Sequence, residues 1–123
     1  MAKYQNDLVL DAALDYIKNN ATQMAVCSAQ PANYAEATST YKLALKTGLT
    51  SGSFTGPADD TSGRKITTVQ QAGVTVDTGG QATHVALCSG TVLLLVTTCT
   101  SQTLTGGNTV TIPPYKFNLP DVA

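Results

Sequence analysis

The side chains able to do chemistry in this 123-residue chain are few and scattered. His84 is the only histidine, and it falls within a run of apolar and β-branched residues, Ala82-Thr83-His84-Val85-Ala86-Leu87. A histidine acting as general base in a hydrolytic triad needs a carboxylate to orient it and a nucleophile beside it. The nearest carboxylate in sequence, Asp77, is expected on a separate strand, and no nucleophile-elbow motif occurs. His84 is therefore read as a structural, hydrogen-bonded residue, and no catalytic residue is assigned. Cys27, Cys88 and Cys99 show neither CxxC nor Cys/His ligand spacing, and zinc needs three or four ligands. They read as small buried hydrophobes of a reducing compartment, with an inter-subunit disulfide as the alternative. Asp59-Asp60 lacks the Asp/Gly spacing of a calcium loop and reads as a solvated loop tip. Gly79-Gly80 and Gly106-Gly107 precede strands rather than helices, so they are turns and not phosphate cradles. No metal, cofactor or enzymatic activity is expected.

Composition points the same way. Charged residues make up only 12% of the chain, about half the ~25% of an average soluble domain. Threonine, at about one residue in six, fills much of the gap with a β-branched side chain that is polar without charge. Seven scattered cations and a net charge of −1 argue against nucleic acid, whose binding depends on phosphate neutralisation. The N-terminus does not read as a signal peptide, neither end carries a lipidation signal, and the longest apolar run, Val92 to Val96, is far too short to span a bilayer. No membrane partner is expected. From Thr78 to Tyr115 there is no Asp, Glu, Lys or Arg. Charge depletion marks the centres of protein interfaces, and the span predicts heavy coverage of this part of the surface.

The elements that hold these residues follow from periodicity. Leu10, Ala13, Leu14 and Ile17 recur at i, i+3, i+4 and i+7, which predicts a helix over about 7–19 with those residues on one face. Asn6 or Asp7 can cap it, and Asp7, Asp11 and Asp15 before Lys18 suit its dipole. The period then changes to two. Strands are expected over Gln23–Ser28, Tyr41–Thr47, Arg64–Gln71, Val74–Asp77, Gln81–Cys88, Thr91–Thr100, Thr109–Ile112 and Tyr115–Leu119, with one helical turn over Tyr34–Thr38. In Tyr41–Thr47 the side chains should alternate, with Tyr41, Leu43 and Leu45 on one side and Lys42, Ala44 and Lys46 on the other. Residues 48–63 read as one long loop, anchored by Phe54. The expected fold is mainly β: an antiparallel β-sandwich or barrel-like domain with one N-terminal α-helix, a single domain over 1–123.

One hairpin carries more than fold class. A two-residue Ser89-Gly90 loop would set Leu87 opposite Val92, Val85 opposite Leu94, Thr83 opposite Val96 and Cys99 opposite Gly80. The other face would hold His84, Ala86, Cys88, Leu93, Leu95 and Cys99. Both faces are largely apolar, where a strand with one wet face should alternate. One face is expected to pack on the opposite sheet, the other beneath the N-terminal helix or a neighbouring chain. Leu10, Leu14, Ile17, Leu93, Leu95 and Phe54 are accordingly the interface candidates.

The runs Ala82-Thr83-His84-Val85-Ala86-Leu87, Leu93-Leu94-Leu95-Val96-Thr97-Thr98 and Leu104-Thr105-Gly106-Gly107-Asn108-Thr109-Val110-Thr111-Ile112-Pro113 resemble a family of small structural proteins of tailed bacteriophages. The order is similar too: an amphipathic helix (Asp7 to Ile17), a strand leading to a Pro-containing loop (Val26 to Pro31), then a β-domain with an uncharged hairpin. The resemblance spans nearly the whole chain, rests on packing and turn residues, and carries no catalytic position. It implies a virion component made in the bacterial host cytoplasm: a capsid decoration protein first, a neck, tail or fibre-base accessory second. Its partners would be other virion proteins, the major capsid or neck and tail proteins, and copies of itself in a homo-oligomer. Ordered chain ends would suit such an assembled state. The rival from another class is a receptor- or glycan-binding module, which would need an exposed aromatic platform near Tyr34, Tyr41 or Phe54.

Overall fold

A computed structural model describes residues 6–61 and 63–119. The expectation of ordered chain ends falls on residues 1–5 and 120–123, outside the described residues. The first element is the expected helix, α1 (Asp7–Asn20). Asn6 is its N-cap, its side-chain oxygen accepting from the Leu8 amide at 2.8 Å. Nine strands follow among the described residues, and the fold is mainly β with antiparallel sheets, like a sandwich or barrel.

The largest sheet has four strands in the order β2 (Lys42–Lys46), β1 (Gln23–Cys27), β6 (Gly80–Cys88) and β7 (Leu93–Leu104). A second sheet joins β3 (Phe54–Asp59), β4 (Arg64–Thr68) and β9 (Lys116–Leu119), and a third pairs β5 (Gln71–Thr75) with β8 (Thr109–Ile112). A single bridge, Ala44 to Val76, ties the four-stranded sheet to the β5 side. The main core lies between these sheets: Met24, Val26, Val85 and Leu87 from one side, Phe54, Ile66, Val74 and Ile112 from the other. Leu14 of α1 closes it, the helix lying against β3 and β4.

Four expectations are corrected. The 48–63 stretch is not one loop: its uncharged Ser and Thr residues form a short 3-10 turn, Ser51–Ser53, and then β3, which pairs with β4. Gly56 makes the β3 bend possible. Its φ is +99°, and a Cβ there would stand 2.8 Å from the Lys65 carbonyl oxygen. The expected Arg64–Gln71 strand breaks after Thr68, where Thr68 is drawn to Tyr115 by two backbone-anchored hydrogen bonds of 2.8 Å, and the chain restarts as β5. In β2 both Leu43 and Ala44 are buried, so the strand does not alternate cleanly. A register shift against β1 between Val26 and Cys27 accounts for it.

The β6–β7 hairpin is the fourth. Gln81–Cys88 does pair antiparallel with the following strand, but the loop is Ser89–Val92, closed by the Ser89 amide donating to the Val92 carbonyl at 2.9 Å. The Ser89 hydroxyl accepts from the amides of Thr91 and Val92, a local side-chain turn that outcompetes a two-residue hairpin. Leu87 therefore faces Leu95, Val85 faces Thr97, and Leu104 rather than Cys99 lies opposite Gly80. The shift is an odd number of residues, so the side chains of β7 exchange faces relative to the expected register. Register shifts between Leu87 and Cys88 and between Ala82 and His84 accommodate the extra residues of β7.

Candidate interaction surface

His84 stands opposite Cys27 on one neighbour and Thr98 on the other, its Nδ1 2.8 Å from the Thr83 hydroxyl. Asp77 is paired with Lys42 at 3.1 Å. Asp59 and Asp60 stand at the tip of the β3–β4 hairpin, the Asp59 side chain 85% exposed and that of Asp60 covered by its partners. Arg64 Nη1 donates to Asp59 at 2.7 Å, while Asp60 takes Lys116 at 3.0 Å and the Asn118 amide at 2.9 Å. The hydrogen bond from Lys116 holds the Asp60 carboxyl below its usual range. Among the described residues no three His, Cys, Asp or Glu side chains come together to hold a metal. No helix among the described residues is long and apolar enough to cross a membrane.

The three thiols are free. Burial, then the nearby Cys88 and Cys99, pushes Cys27 up to about 12, and burial pushes Cys88 to about 11. Both lie in a second, smaller cluster on the outer face of the four-stranded sheet, with Ala25, Ala37 and Ala86. Within the chain, what covers this face is not α1, one of the two covers the sequence led us to expect. It is the chain's own 28–41 segment. A short π-helical turn, Glu36–Thr40, brings Ala37 down onto the sheet, and its carbonyl accepts from Cys27 Sγ at 3.5 Å. Tyr34 and Tyr41 pack half-buried at the rim, Tyr34 donating to Gln23 at 3.1 Å. The sequence marked Tyr34–Thr38 as a turn, but the eleven-residue return from Pro31 to Tyr41 over the sheet is a tertiary contact with no periodic signal.

The interface candidates divide accordingly. Leu10, Leu14 and Phe54 are buried within the chain and do not reach the surface. Leu93 packs half-buried against the smaller cluster, while Leu95 and Ile17 pack half-buried against the main core. Leu95 and Ile17 are brought together in one cleft of about 360 Å³, walled by Leu95–Thr97 of β7 and Lys116–Leu119 of β9, with Leu14 and Ile17 beneath. Successive residues of a strand point to opposite faces, so walls made of consecutive residues are strand edges. A second cleft of about 120 Å³ continues the same seam from Cys99 to Leu104 against Val110–Pro113 and Tyr115. Between them the Tyr115 hydroxyl hydrogen-bonds the Cys99 thiol.

The edge of β7 is what these observations single out. The strand pairs on one side with β6, and among the described residues it has no strand on the other. Natural edges are blunted by charge, proline or shortness. Among the described residues the other edges have such protection: β3 carries Pro57, Asp59 and a bulge, β9 is four residues long and carries Lys116, β8 runs into Pro113-Pro114, β5 is five residues long and bulged between Gln71 and Val74, and β2 is capped by amides of Asp77 and Thr78 donating to Leu43. From Leu93 to Leu104 there is no charge and no proline.

α1 carries the second exposed feature, one the sequence reading missed. Two of its charges are turned toward the sheets, Asp11 taking Arg64 Nε at 2.8 Å and Lys18 Nζ donating to the Gly56 carbonyl at 2.8 Å, while Asp7 is exposed and Asp15 half-buried. Leu8, Val9 and Tyr16 point to solvent, 75%, 59% and 61% exposed, and Ala12 and Ala13 are exposed with them. Ala13 thus leaves the buried face assigned to it. The signal was present, since Leu8, Val9, Ala12 and Tyr16 form an uncharged stripe opposite Leu10 and Leu14. No family model, curated protein or solved structure matches this chain.

Proposed function

We propose that the protein is a non-enzymatic structural subunit that works by protein–protein contact, and that it serves in the virion of a tailed bacteriophage. Capsid decoration is the first assignment, and a neck, tail or fibre-base accessory position the second. The observation that carries the reading is β7, a twelve-residue edge strand without charge or proline. Such an edge is a template for an added strand: main-chain hydrogen bonds give affinity and the alternate side chains give specificity. Its exposed residues Thr98, Thr100, Ser101, Gln102 and Thr103 offer hydroxyls and an amide instead of ionic contacts. Contact at each junction can be weak, because repetition around a particle compounds it. The resemblance to phage structural proteins supplies the particle. Against a glycan-binding module stands the direction of the aromatics: Phe54 is buried, and Tyr34 and Tyr41 pack on the sheet.

The test is co-sedimentation with phage particles lacking the protein. Wild type should pellet with them, while Thr98→Lys with Thr100→Lys, both at exposed positions, should fold normally by circular dichroism and bind at least about tenfold more weakly. Unchanged binding by the double variant would remove β7 from the reading.

A further inference from the structure

We infer that a second copy of this chain covers the outward stripe of α1, the two helices packing antiparallel about a two-fold axis at Ala12 and Ala13. This deepens the assembly reading by naming a partner, but it uses a surface separate from β7.

A surface helix normally buries its apolar stripe and exposes its charges. In α1 the arrangement is partly reversed. Asp11 and Lys18 are spent on Arg64 and Gly56, and three of the large apolar side chains of the helix are more than half exposed. Single exposed hydrophobics are ordinary, whereas three on one stripe with two alanines between them form a contiguous patch. At 100° per residue, Leu8, Ala12, Tyr16, Val9 and Ala13 fall within about 140° of the helix circumference. Asp7, Asp11 and Lys18 fall on the opposite side.

What fits the stripe is decided by its order. Large residues stand at both ends, Leu8 and Val9 at one and Tyr16 at the other, with the small pair Ala12-Ala13 in the middle. The pattern is palindromic. Laid antiparallel about the alanine pair, a second copy puts its Tyr16 against Val9 and its Ala13 against Ala12, and small residues let the backbones approach closely. A C2 interface requires this kind of self-complementarity, since each residue pair occurs twice. No charged side chain lies within the stripe, Asp15 bordering it about 20° beyond Leu8, and antiparallel helix dipoles offset each other. Five side chains present less than the ~800 Å² per partner of a standard stable interface. The pair is therefore weak in isolation and concentration-dependent, with Kd on the order of 10–100 µM.

Sedimentation velocity across concentrations up to about 500 µM tests this. Wild type should shift from a 12.7 kDa species to one of twice that mass. Ala12→Glu, at an exposed helical position, should fold with unchanged circular dichroism and associate at least tenfold more weakly. Val9→Lys and Tyr16→Glu should each be monomeric alone, and an equimolar mixture should regain association, because only the antiparallel arrangement sets position 9 against position 16. A wild-type chain monomeric throughout would overturn the inference. So would Ala12→Glu associating like wild type, which would assign the contact to another surface, or a mixture no better than its components. Particle binding is read separately: a wild-type chain that stays monomeric yet binds particles contradicts this inference alone, and one that pairs while the β7 variant binds particles normally contradicts only the β7 reading.

Discussion

Asp11 of α1 and Arg64 of β4 are joined by a two-pronged ion pair, Nε to Oδ1 at 2.8 Å and Nη2 to Oδ2 at 3.2 Å. Both side chains are mostly covered, and the same guanidinium reaches Asp59 through Nη1. Its neighbours hold Arg64 well above its ordinary value, the Asp11 hydrogen bond contributing most. This contact fixes how α1 lies on the β3–β4 hairpin, and it is why the helix can turn its apolar stripe outward.

Arg64→Lys should therefore lower Tm even though charge is kept, because a lysine cannot make the fork. Arg64→Ala should lower it further. Combined with Asp11→Asn, the effects should be non-additive in thermal melts, since both remove the same pair. Additive losses would mean the pair does not hold the helix.

Leu87 is fully buried opposite Leu95, and Leu87→Ala should cost about 2–5 kcal/mol in denaturant unfolding. Val92, which would have stood opposite Leu87 with a two-residue loop, is 53% exposed in the turn. Val92→Ala should change stability by less than about 0.5 kcal/mol. The reverse order of effects would restore the two-residue loop.

Gly56→Ala should destabilise the β3–β4 hairpin by about 1–3 kcal/mol, from its positive φ and the Lys65 carbonyl that a Cβ would meet. Gly73→Ala, with a positive φ of 70° but open space around it, should cost less. Chemical denaturation of the two variants gives the comparison.

Stability should fall on the alkaline side. Folding raises the Cys27 thiol from its ordinary 9.0 to about 12 and Cys88 to about 11. Below pH 9 both states keep these protons and stability is unaffected. Above it the unfolded chain loses them while the folded chain holds them, so stability declines as pH rises from 9 toward about 12. The Cys27 contribution is on the order of 4 kcal/mol at most. Urea unfolding between pH 8 and 11 should show a shallower decline for Cys27→Ala than for wild type; parallel curves would contradict the burial of that thiol.

The helix, the antiparallel β pattern and the Thr109–Ile112 strand were legible because each follows from local periodicity and turn residues. The β6–β7 register was not. It depends on how the Ser89 hydroxyl captures the Thr91 and Val92 amides, and on bulges absorbed far along the strand at Ala82. Phe54 looked like a loop anchor because Gly, Ser and Thr around it suggest coil, yet pairing with Thr68 makes it a core residue. For the surface, the charge-free span drew attention to the β6–β7 hairpin. Which part of it is uncovered could not be read, because the 28–41 segment that shields Ala86 and Cys88 is distant in sequence. The α1 stripe was obscured by the expectation that a surface helix has one apolar face.

Hydrogen–deuterium exchange of β7, free and bound to the particle, tests the central claim most directly. In the free chain the outward-facing amides between Leu93 and Leu104 have no strand partner among the described residues and should exchange quickly, while those bonded to β6 exchange slowly. Binding should slow exchange across this segment, with little change in β3, β4 and β9. If β7 exchanges identically in the free and bound protein while protection appears elsewhere, the subunit does not assemble through its uncharged edge, and the account given for β7 is wrong.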